Sequence, residues 1–270
     1  MLLPRILTAL VGIPLVIAAI YFGGIFFMVL VFAIIMACLY EYGLVLLKAK
    51  KPVSRIGLIV FGILMTIAAM AGRLPDMVDL PSNISGFFIA LTLAGLFLFE
   101  MFRKAPSFER VANTFLGVML IPWCLAHLVN IRMIEPYGEY FAYIIFFAIW
   151  ANDIAAYGIG CWIGKHRLKE VVSPKKSWEG AIAGFVAAIA ITMLLWDMFY
   201  PNITWQQAFA LGACLSVLAQ VSDLAESLFK RNAKVKDSSG ILPGHGGVLD
   251  RFDAFLLSAP VVYYLVLFMI

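Results

Sequence analysis

The stretch that decides the fold begins with AFALGACLSVLAQ at 208–220 and ends with AFLLSAPVVYYLVLFMI at 254–270. Between these two apolar segments stand five acidic and five basic residues, beginning with VSDLAESLFKR at 221–231. A membrane-spanning helix needs about 20 mainly apolar residues, and both segments are predicted to belong to such helices. Because charge is costly beside or within membrane helices, this stretch also predicts a functional site.

The composition of the whole chain excludes an ordinary soluble domain. Hydrophobic residues make up 63% and charged residues 13% of the chain, and the mean hydropathy is +0.97. A soluble domain is about half apolar and about a quarter charged. The net charge of +4 is spread over loops and does not indicate nucleic acid. The four cysteines lack metal-ligand spacing, so neither a disulfide framework nor a zinc site is predicted.

Apolar segments along the chain predict an all-α polytopic membrane protein with about nine transmembrane helices. They lie at about 6–22, 25–47, 56–72, 84–102, 111–130, 139–163, 180–200, 206–228 and 250–270. About five helices fall in residues 1–138, and about four, which carry the polar motifs, fall in residues 139–270.

Loop charges predict the orientation of these helices. If the N-terminus is cytosolic, 18 of the 20 Lys and Arg residues lie on the cytosolic side, and only Arg73 and Arg132 lie outside. This asymmetry predicts a cytosolic N-terminus and an external C-terminus.

Two pairs of acidic residues in the charged stretch have helical spacing. Asp223 and Glu226 are three residues apart. Asp250 and Asp253 have the same spacing, so on helices each pair shares one face. Mg²⁺ takes one or two protein carboxylates, and phosphates and waters complete its shell. Lys and Arg between the pairs suit phosphate oxygens, and the glycine-rich turn at 243–247 allows close backbone approach. The pattern predicts metal-assisted phosphoryl or nucleotidyl transfer.

This stretch resembles the hallmark of the phosphatidate cytidylyltransferases, also called CDP-diacylglycerol synthases. The matching segments are SLFKR at 227–231, KD at 236–237, LPGHGG at 242–247 and DRFD at 250–253. One position departs from the family pattern, because Ser222 stands where the family usually has glycine before the first aspartate. A local backbone adjustment is expected there.

A second group of polar residues extends the resemblance upstream. Asp153 and Tyr157 are four residues apart in a predicted helix, so they share a face. SPKKSWEG follows at 173–180. There, Pro174 and Ser177 suit a helix start, and a helix N-terminus with two lysines favours anions. The family likewise pairs an Asp and a Tyr in one helix with a Ser-Pro-Lys-Lys element in the next loop.

The resemblance implies a reaction and the residues that perform it. CTP and phosphatidate would give CDP-diacylglycerol and pyrophosphate by in-line attack on the α-phosphorus of CTP. Mg²⁺ is the implied cofactor, and a second cation is left open. The implied catalytic residues are Asp223, Asp250, Asp253 and His245, and the three aspartates are also the implied metal ligands. The implied substrate-binding residues are Asp153, Lys175, Lys176, Ser177, Lys230, Arg231, Lys236 and Arg251.

The resemblance also implies partners and a location. The partners are CTP, phosphatidic acid and membrane lipids, without nucleic acid, and a homodimer is left open. The location is a bacterial inner membrane, with the active site facing the cytosol, where nucleotides are found.

Other interpretations of the same residues stay open at this point. The acids could cap helices, and the loop cations could serve only as topology signals. Glu226 could be a ligand or a hydrogen-bonding residue inside the bundle, and His245 could transfer a proton or contact phosphate. Glu41 and Glu100 are interpreted as interfacial residues near helix ends.

Three other functions could account for parts of the same sequence pattern. A CTP-dependent polyprenol or phytol kinase would release CDP instead of pyrophosphate. A transporter could use intramembrane acids for cation coupling, but here the charges cluster at one end of the chain instead of recurring in two halves. A structural scaffold leaves the acids unexplained.

Overall fold

A computed structural model describes residues 3–71, 84–199, 202–242, 244 and 246–270 of the chain. Pro243, His245 and Arg73 lie outside the described residues. The predicted catalytic role of His245 therefore stays a prediction.

Helices make up most of the described chain. Their bounds are α1 (Leu3–Phe22), α2 (Gly24–Lys48), α3 (Arg55–Ala71), α4 (Ile84–Met101), α5 (Phe108–Arg132), α6 (Gly138–Ile163), α7 (Trp178–Phe199), α8 (Trp205–Asn232) and α9 (Leu249–Met269). Helix α5 contains one π-helical turn around Pro122, where proline cannot donate the regular backbone hydrogen bond. Each of the nine predicted apolar segments coincides with one of these helices in the described part, which confirms the all-α prediction.

Seven of the described helices, α2 and α4 to α9, are long and apolar enough to cross a membrane. Helices α1 and α3 contain the shorter apolar segments Leu10–Phe22 and Arg55–Met70. The protein is an integral membrane protein. The side of the membrane on which each terminus lies stays a prediction.

The chain forms two compact units. The first comprises Met1–Asn130 and Asn232–Arg251, and the second comprises Ile131–Arg231 and Phe252–Ile270. The segment between α8 and α9 thus belongs with the N-terminal helices. The sequence-based division at residue 138 counts helices in chain order and stays a prediction.

Helix α2 supplies much of the core of the first unit. Its buried side chains, including Ile35, Cys38 and Tyr42, recur every three or four residues and so line one face. The Tyr42 hydroxyl donates a hydrogen bond of 2.9 Å to the backbone oxygen of Asn113 on α5. Glu41 lies on the same helix and is itself buried.

Glycines let α6 and α7 pack closely in the second unit. A Cβ on Gly180 would lie 2.6 Å from the backbone oxygen of Ala156 and 3.1 Å from the Cα of Gly160. A Cβ on Gly184 would lie 2.9 Å from the backbone oxygen of Asn152. Small residues allow this approach of two membrane helices.

A two-stranded antiparallel hairpin connects α6 to α7, with strands β1 (Arg167–Lys169) and β2 (Ser173–Ser177). The prediction that Pro174 begins a helix is wrong, because Pro174 lies in β2. Proline is compatible with an edge strand, and both strands of a hairpin are edges. The prediction for Ser177 is confirmed: α7 begins at the next residue, and the Ser177 hydroxyl accepts a hydrogen bond of 3.2 Å from the Gly180 amide.

Candidate active site

Four carboxylates in the second unit form what we call the acidic cluster: Asp153 on α6, Asp223 and Glu226 on α8, and Asp253 on α9. The Asp253 carboxylate interacts electrostatically with each of the other three. Asp223 and Glu226 lie one turn apart on α8, as their spacing predicts. Because like charges among apolar helices repel one another, the cluster favours bound positive charge.

Two lysines contact the acidic cluster. The Lys176 Nζ lies 2.5 Å from Asp223 Oδ2, which joins β2 to α8. The Lys230 Nζ lies 2.6 Å from Glu226 Oε2, one turn away on α8. The Glu226 side chain is only 2% exposed, and removing one partner of a buried ion pair leaves an uncompensated charge. The structure thus brings Lys176, Lys230 and the predicted ligand Asp223 together.

A buried amide orients Asp153. The Asn152 amide nitrogen donates a hydrogen bond of 3.1 Å to Asp153 Oδ1. Its oxygen accepts hydrogen bonds from Ser216 Oγ at 2.7 Å and Gln220 Nε2 at 3.1 Å. Gln220 also donates to the Ala181 backbone oxygen at 3.0 Å, so the network joins α6, α7 and α8. The sequence motifs predict no role for Asn152 and Gln220, although polar side chains inside predicted membrane helices are a signal of function.

Ser222, which departs from the family pattern, ties α8 to α9 beside the acidic cluster. Its hydroxyl donates a hydrogen bond to the Asp253 backbone oxygen and accepts one of 3.1 Å from the Leu257 amide. In a regular α-helix these two backbone groups would bond to each other. The hydroxyl therefore lies between two turns of α9, at the residue that carries the Asp253 carboxylate.

The remaining predicted substrate-binding residues of the second unit lie around the hairpin. Lys175 is exposed on β2, and Ser177 is buried at the start of α7. Arg231 is exposed at the end of α8, where its Nε donates a hydrogen bond of 3.4 Å to the Val172 backbone oxygen. Lys175 and Arg231 are thus two exposed cations at the hairpin, and such side chains suit phosphate groups.

The glycine-rich part of the motif belongs to the first unit. The Leu242 amide donates a hydrogen bond of 2.9 Å to the Gly246 backbone oxygen across the turn. Gly244 and Gly246 have φ angles of 77° and 86°, which favour glycine. The predicted turn is confirmed for its described residues. Lys236 and Arg251, in the same unit, are exposed.

Asp250 has different surroundings from Asp253. Its carboxylate accepts a hydrogen bond of 2.8 Å from the Gly247 amide and bonds of 3.1 and 3.2 Å from the Ser238 amide. Asp250 lies in the first turn of α9, so its carboxylate joins the glycine-rich turn to the helix start. Its predicted roles as catalytic residue and metal ligand stay predictions.

Glu41 and Glu100 are both buried within the protein, and their interpretation as residues at the membrane interface stays a prediction. They are 0% and 5% exposed. Glu100 accepts a hydrogen bond of 2.9 Å from the Ser107 amide and pairs with Arg110. Glu41 accepts hydrogen bonds from three groups of the segment between α8 and α9 and from the Leu249 amide at the start of α9. Since the donors come from other segments, local sequence does not show that these carboxylates are buried and satisfied.

The acidic cluster fits a hard divalent cation by its charge and its donor atoms. Asp223 and Asp253 supply carboxylate oxygens, the ligand type that Mg²⁺ prefers. Each of two lysines contacts one of the four acidic side chains, so acidic groups outnumber basic ones in the cluster. Among the described residues, no three His, Cys, Asp or Glu side chains are grouped so as to hold a metal by themselves. Mg²⁺ does not need such a cage, because phosphates and waters complete its shell.

Comparison with known proteins covers nearly the whole chain. Residues 3–269 match the model of the cytidylyltransferase family. The phosphatidate cytidylyltransferase of Bacillus subtilis (strain 168) is 33% identical over 265 residues, which cover 97% of this chain and 96% of the relative. That of Synechocystis sp. is 29% identical over 296 residues, 98% of this chain and 97% of the relative. That of Staphylococcus aureus (strain COL) is 32% identical over 271 residues, 97% and 98% of the two chains.

Carboxylates and lysines that apolar helices hold together mark a functional site in a membrane protein. The chain belongs to the cytidylyltransferase family, so it is a CTP-dependent nucleotidyltransferase. The resemblance carried by the motifs is thereby confirmed.

Proposed function

We propose that this enzyme transfers the cytidylyl group of CTP to phosphatidate, giving CDP-diacylglycerol and pyrophosphate. The observation that carries the proposal is the acidic cluster with Lys176 and Lys230, held by apolar helices. Relatives that match 97–98% of the chain are named for this activity. A lipid acceptor also gives a reason for the membrane setting of these charges, since the acyl chains of phosphatidate stay in the bilayer.

The reaction needs no protein nucleophile. A phosphate oxygen of phosphatidate forms a bond to the α-phosphorus of CTP, and the bond from that phosphorus to the bridging oxygen of pyrophosphate breaks. Pyrophosphate leaves with the electron pair. Because the attacking oxygen is already anionic, the enzyme's main task is to bring two polyanions together, which positive charge and positioning accomplish.

The chain's own groups divide this task. Lys176 and Lys230 would hold phosphates at the acidic cluster, while Asp153 is oriented by Asn152 to contribute to the site. Lys175, Ser177, Arg231, Lys236, Arg251 and His245 are the further residues predicted for phosphate or nucleotide contact and catalysis. Asp223 and Asp253, with Asp250 as the third predicted ligand, would hold Mg²⁺, which when bound neutralises phosphate charge.

We place this chemistry at the cytosolic face of a bacterial inner membrane. The support is the loop-charge asymmetry, in which 18 of 20 basic residues fall on one side. CTP then arrives from the cytosol and phosphatidate from the adjoining leaflet.

The test of this proposal is the fate of two labels. Purified enzyme in detergent receives phosphatidate, Mg²⁺ and CTP labelled on the α- or the γ-phosphate, with a chelator control. We expect the α-label in the lipid, the γ-label in pyrophosphate, and loss of both signals with chelator. A lipid that carries the γ-label, with release of CDP, would reject the proposal in favour of a CTP-dependent lipid kinase.

A further inference from the structure

Glu41 on α2 is a fully buried carboxylate to which the proposed reaction gives no role. Its Oε1 accepts hydrogen bonds from Ser239 Oγ at 2.6 Å and the Val248 amide at 2.9 Å. Its Oε2 accepts hydrogen bonds from Ser238 Oγ at 2.9 Å and the Leu249 amide at 2.7 Å. Each oxygen thus accepts two hydrogen bonds. All four donors lie in residues 238–249, which we call the signature segment because they include the motif LPGHGG at 242–247.

The four donors lie on both sides of the glycine-rich turn. Ser238 and Ser239 precede the turn, and Val248 and Leu249 follow it at the start of α9. Hydrogen bonds to an ionised acceptor are stronger than neutral ones, and a helix N-terminus favours a nearby negative charge. One side chain of α2 therefore fixes the residues on both sides of the turn. These residues lie 197 to 208 positions after Glu41 in the chain.

Ser238 links Glu41 to Asp250. The Ser238 hydroxyl donates to Glu41, while its backbone amide donates to the Asp250 carboxylate at 3.1 Å. The Gly247 amide also donates to Asp250, at 2.8 Å. Displacing Ser238 would therefore change the surroundings of Asp250 without altering Asp250 itself.

The close packing at Gly247 supports the same arrangement. A Cβ at that position would overlap the Ser238 hydroxyl and lie 2.8 Å from the Glu41 Cδ. Glycine is required at position 247 because the backbone of the turn packs directly against the Glu41 carboxylate. All of these groups belong to the first unit.

We infer that Glu41 is a positioning residue for nucleotide binding. It touches no substrate; it holds the residues on both sides of the glycine-rich turn and, through Ser238, the Asp250 carboxylate in the arrangement that binds the phosphates of CTP. The inference rests on the proposed function, because it assigns this segment to CTP.

Glu41→Gln tests the inference, and Glu100→Gln is the matched control. Both substitutions change a buried carboxylate of the first unit to a similar shape, but Glu100 contacts residues 103, 107 and 110 instead of the signature segment. In Glu41→Gln, an NH2 group replaces one carboxylate oxygen. This group is a hydrogen-bond donor and would face the backbone N–H of Val248 or Leu249, which is also a donor. Hydrogen exchange without substrate should therefore become faster in residues 238–249 of Glu41→Gln only.

Steady-state kinetics supply the readout that a merely structural role would not give. We expect Glu41→Gln to raise the KM for CTP about 10- to 100-fold, since small displacements of binding groups reduce activity on this scale. The KM for phosphatidate and the thermal midpoint should change no more than in Glu100→Gln. If Glu41→Gln does not fold, Ser239→Ala, which removes one donor, should raise the KM for CTP by a smaller factor.

Several results would overturn the inference. If hydrogen exchange in residues 238–249 of Glu41→Gln matches that of the wild type, the inference is wrong, whatever reaction the enzyme catalyses. An unchanged KM for CTP, or an equal rise in Glu100→Gln, would also overturn it. A wild-type enzyme that makes no CDP-diacylglycerol would instead reject the proposed function, while the exchange result would still decide whether Glu41 fixes the turn.

Discussion

Asp250 and Asp253 lie three residues apart on α9, and their carboxylates have different surroundings. Asp250 accepts backbone hydrogen bonds from Gly247 and Ser238, whereas Asp253 interacts with three other carboxylates. Backbone donors already stabilise a negative charge on Asp250, while the acidic cluster favours added positive charge near Asp253. Of these two aspartates, Asp253 therefore has the surroundings that suit a cation better.

Lys176 is the residue whose replacement tests the contact between hairpin and acidic cluster. Lys176→Gln removes the charge that lies 2.5 Å from Asp223, and with it the cation proposed to hold phosphate. We expect kcat/KM for CTP to fall about 100-fold, the scale of losing one preorganised electrostatic contact. Initial rates of lipid labelling measure the change.

Lys169→Gln is the control for this experiment, because Lys169 is a lysine of the same hairpin on β1. It should change kcat/KM less than about threefold, as expected of a surface cation. Equal losses in the two variants would contradict the role assigned to Lys176.

Helices were predictable in this chain, and the hairpin was not. The bilayer requires about 20 apolar residues per span, so composition alone marks helix positions. Residues 167–177 are polar and contain proline, with no apolar alternation to indicate a strand. The register of β1 against β2 is also irregular between Arg167 and Lys169, so no regular strand pattern marks the hairpin in the sequence.

Gly180 tests the glycine interface between α6 and α7. In Gly180→Ala the new Cβ would lie 2.6 Å from the Ala156 backbone oxygen, so the helices must separate. We expect a loss of about 1–3 kcal/mol in the free energy of unfolding, measured by denaturant unfolding in detergent. Gly158→Ala on α6 is the control, because a Cβ there meets nothing within 4 Å. Equal stability of the two variants would contradict the packing described.

Composition predicts that the chain is an integral membrane protein, and its motifs predict the family. The hydrogen-bonding roles of Glu41, Asn152 and Gln220 were not predictable, since each depends on partners from a distant part of the chain. Polar residues inside apolar helices indicate that partners exist, but only the fold identifies them.

Loop charge predicts an orientation that labelling in cells can check. In a cysteine-free background, a single cysteine replaces Lys104, predicted to be cytosolic, or Glu135, predicted to be external. A membrane-impermeant thiol reagent added to intact cells should label position 135 only, and permeabilised cells should show both labels. Labelling of position 104 alone in intact cells would contradict the prediction and indicate the opposite orientation.

The most direct test of the acidic cluster uses CTP labelled on the α-phosphate. It compares how fast Asp253→Asn, Asp197→Asn and the wild-type enzyme transfer the labelled cytidylyl group to phosphatidate. Asp197 is an acidic residue of α7 outside that cluster. With Mg²⁺ present, we predict a fall of about 1000-fold for Asp253→Asn, because metal and phosphate stabilisation amounts to several kcal/mol. Asp197→Asn should stay within a few-fold of the wild type. Wild-type transfer by a folded Asp253→Asn enzyme would contradict the account.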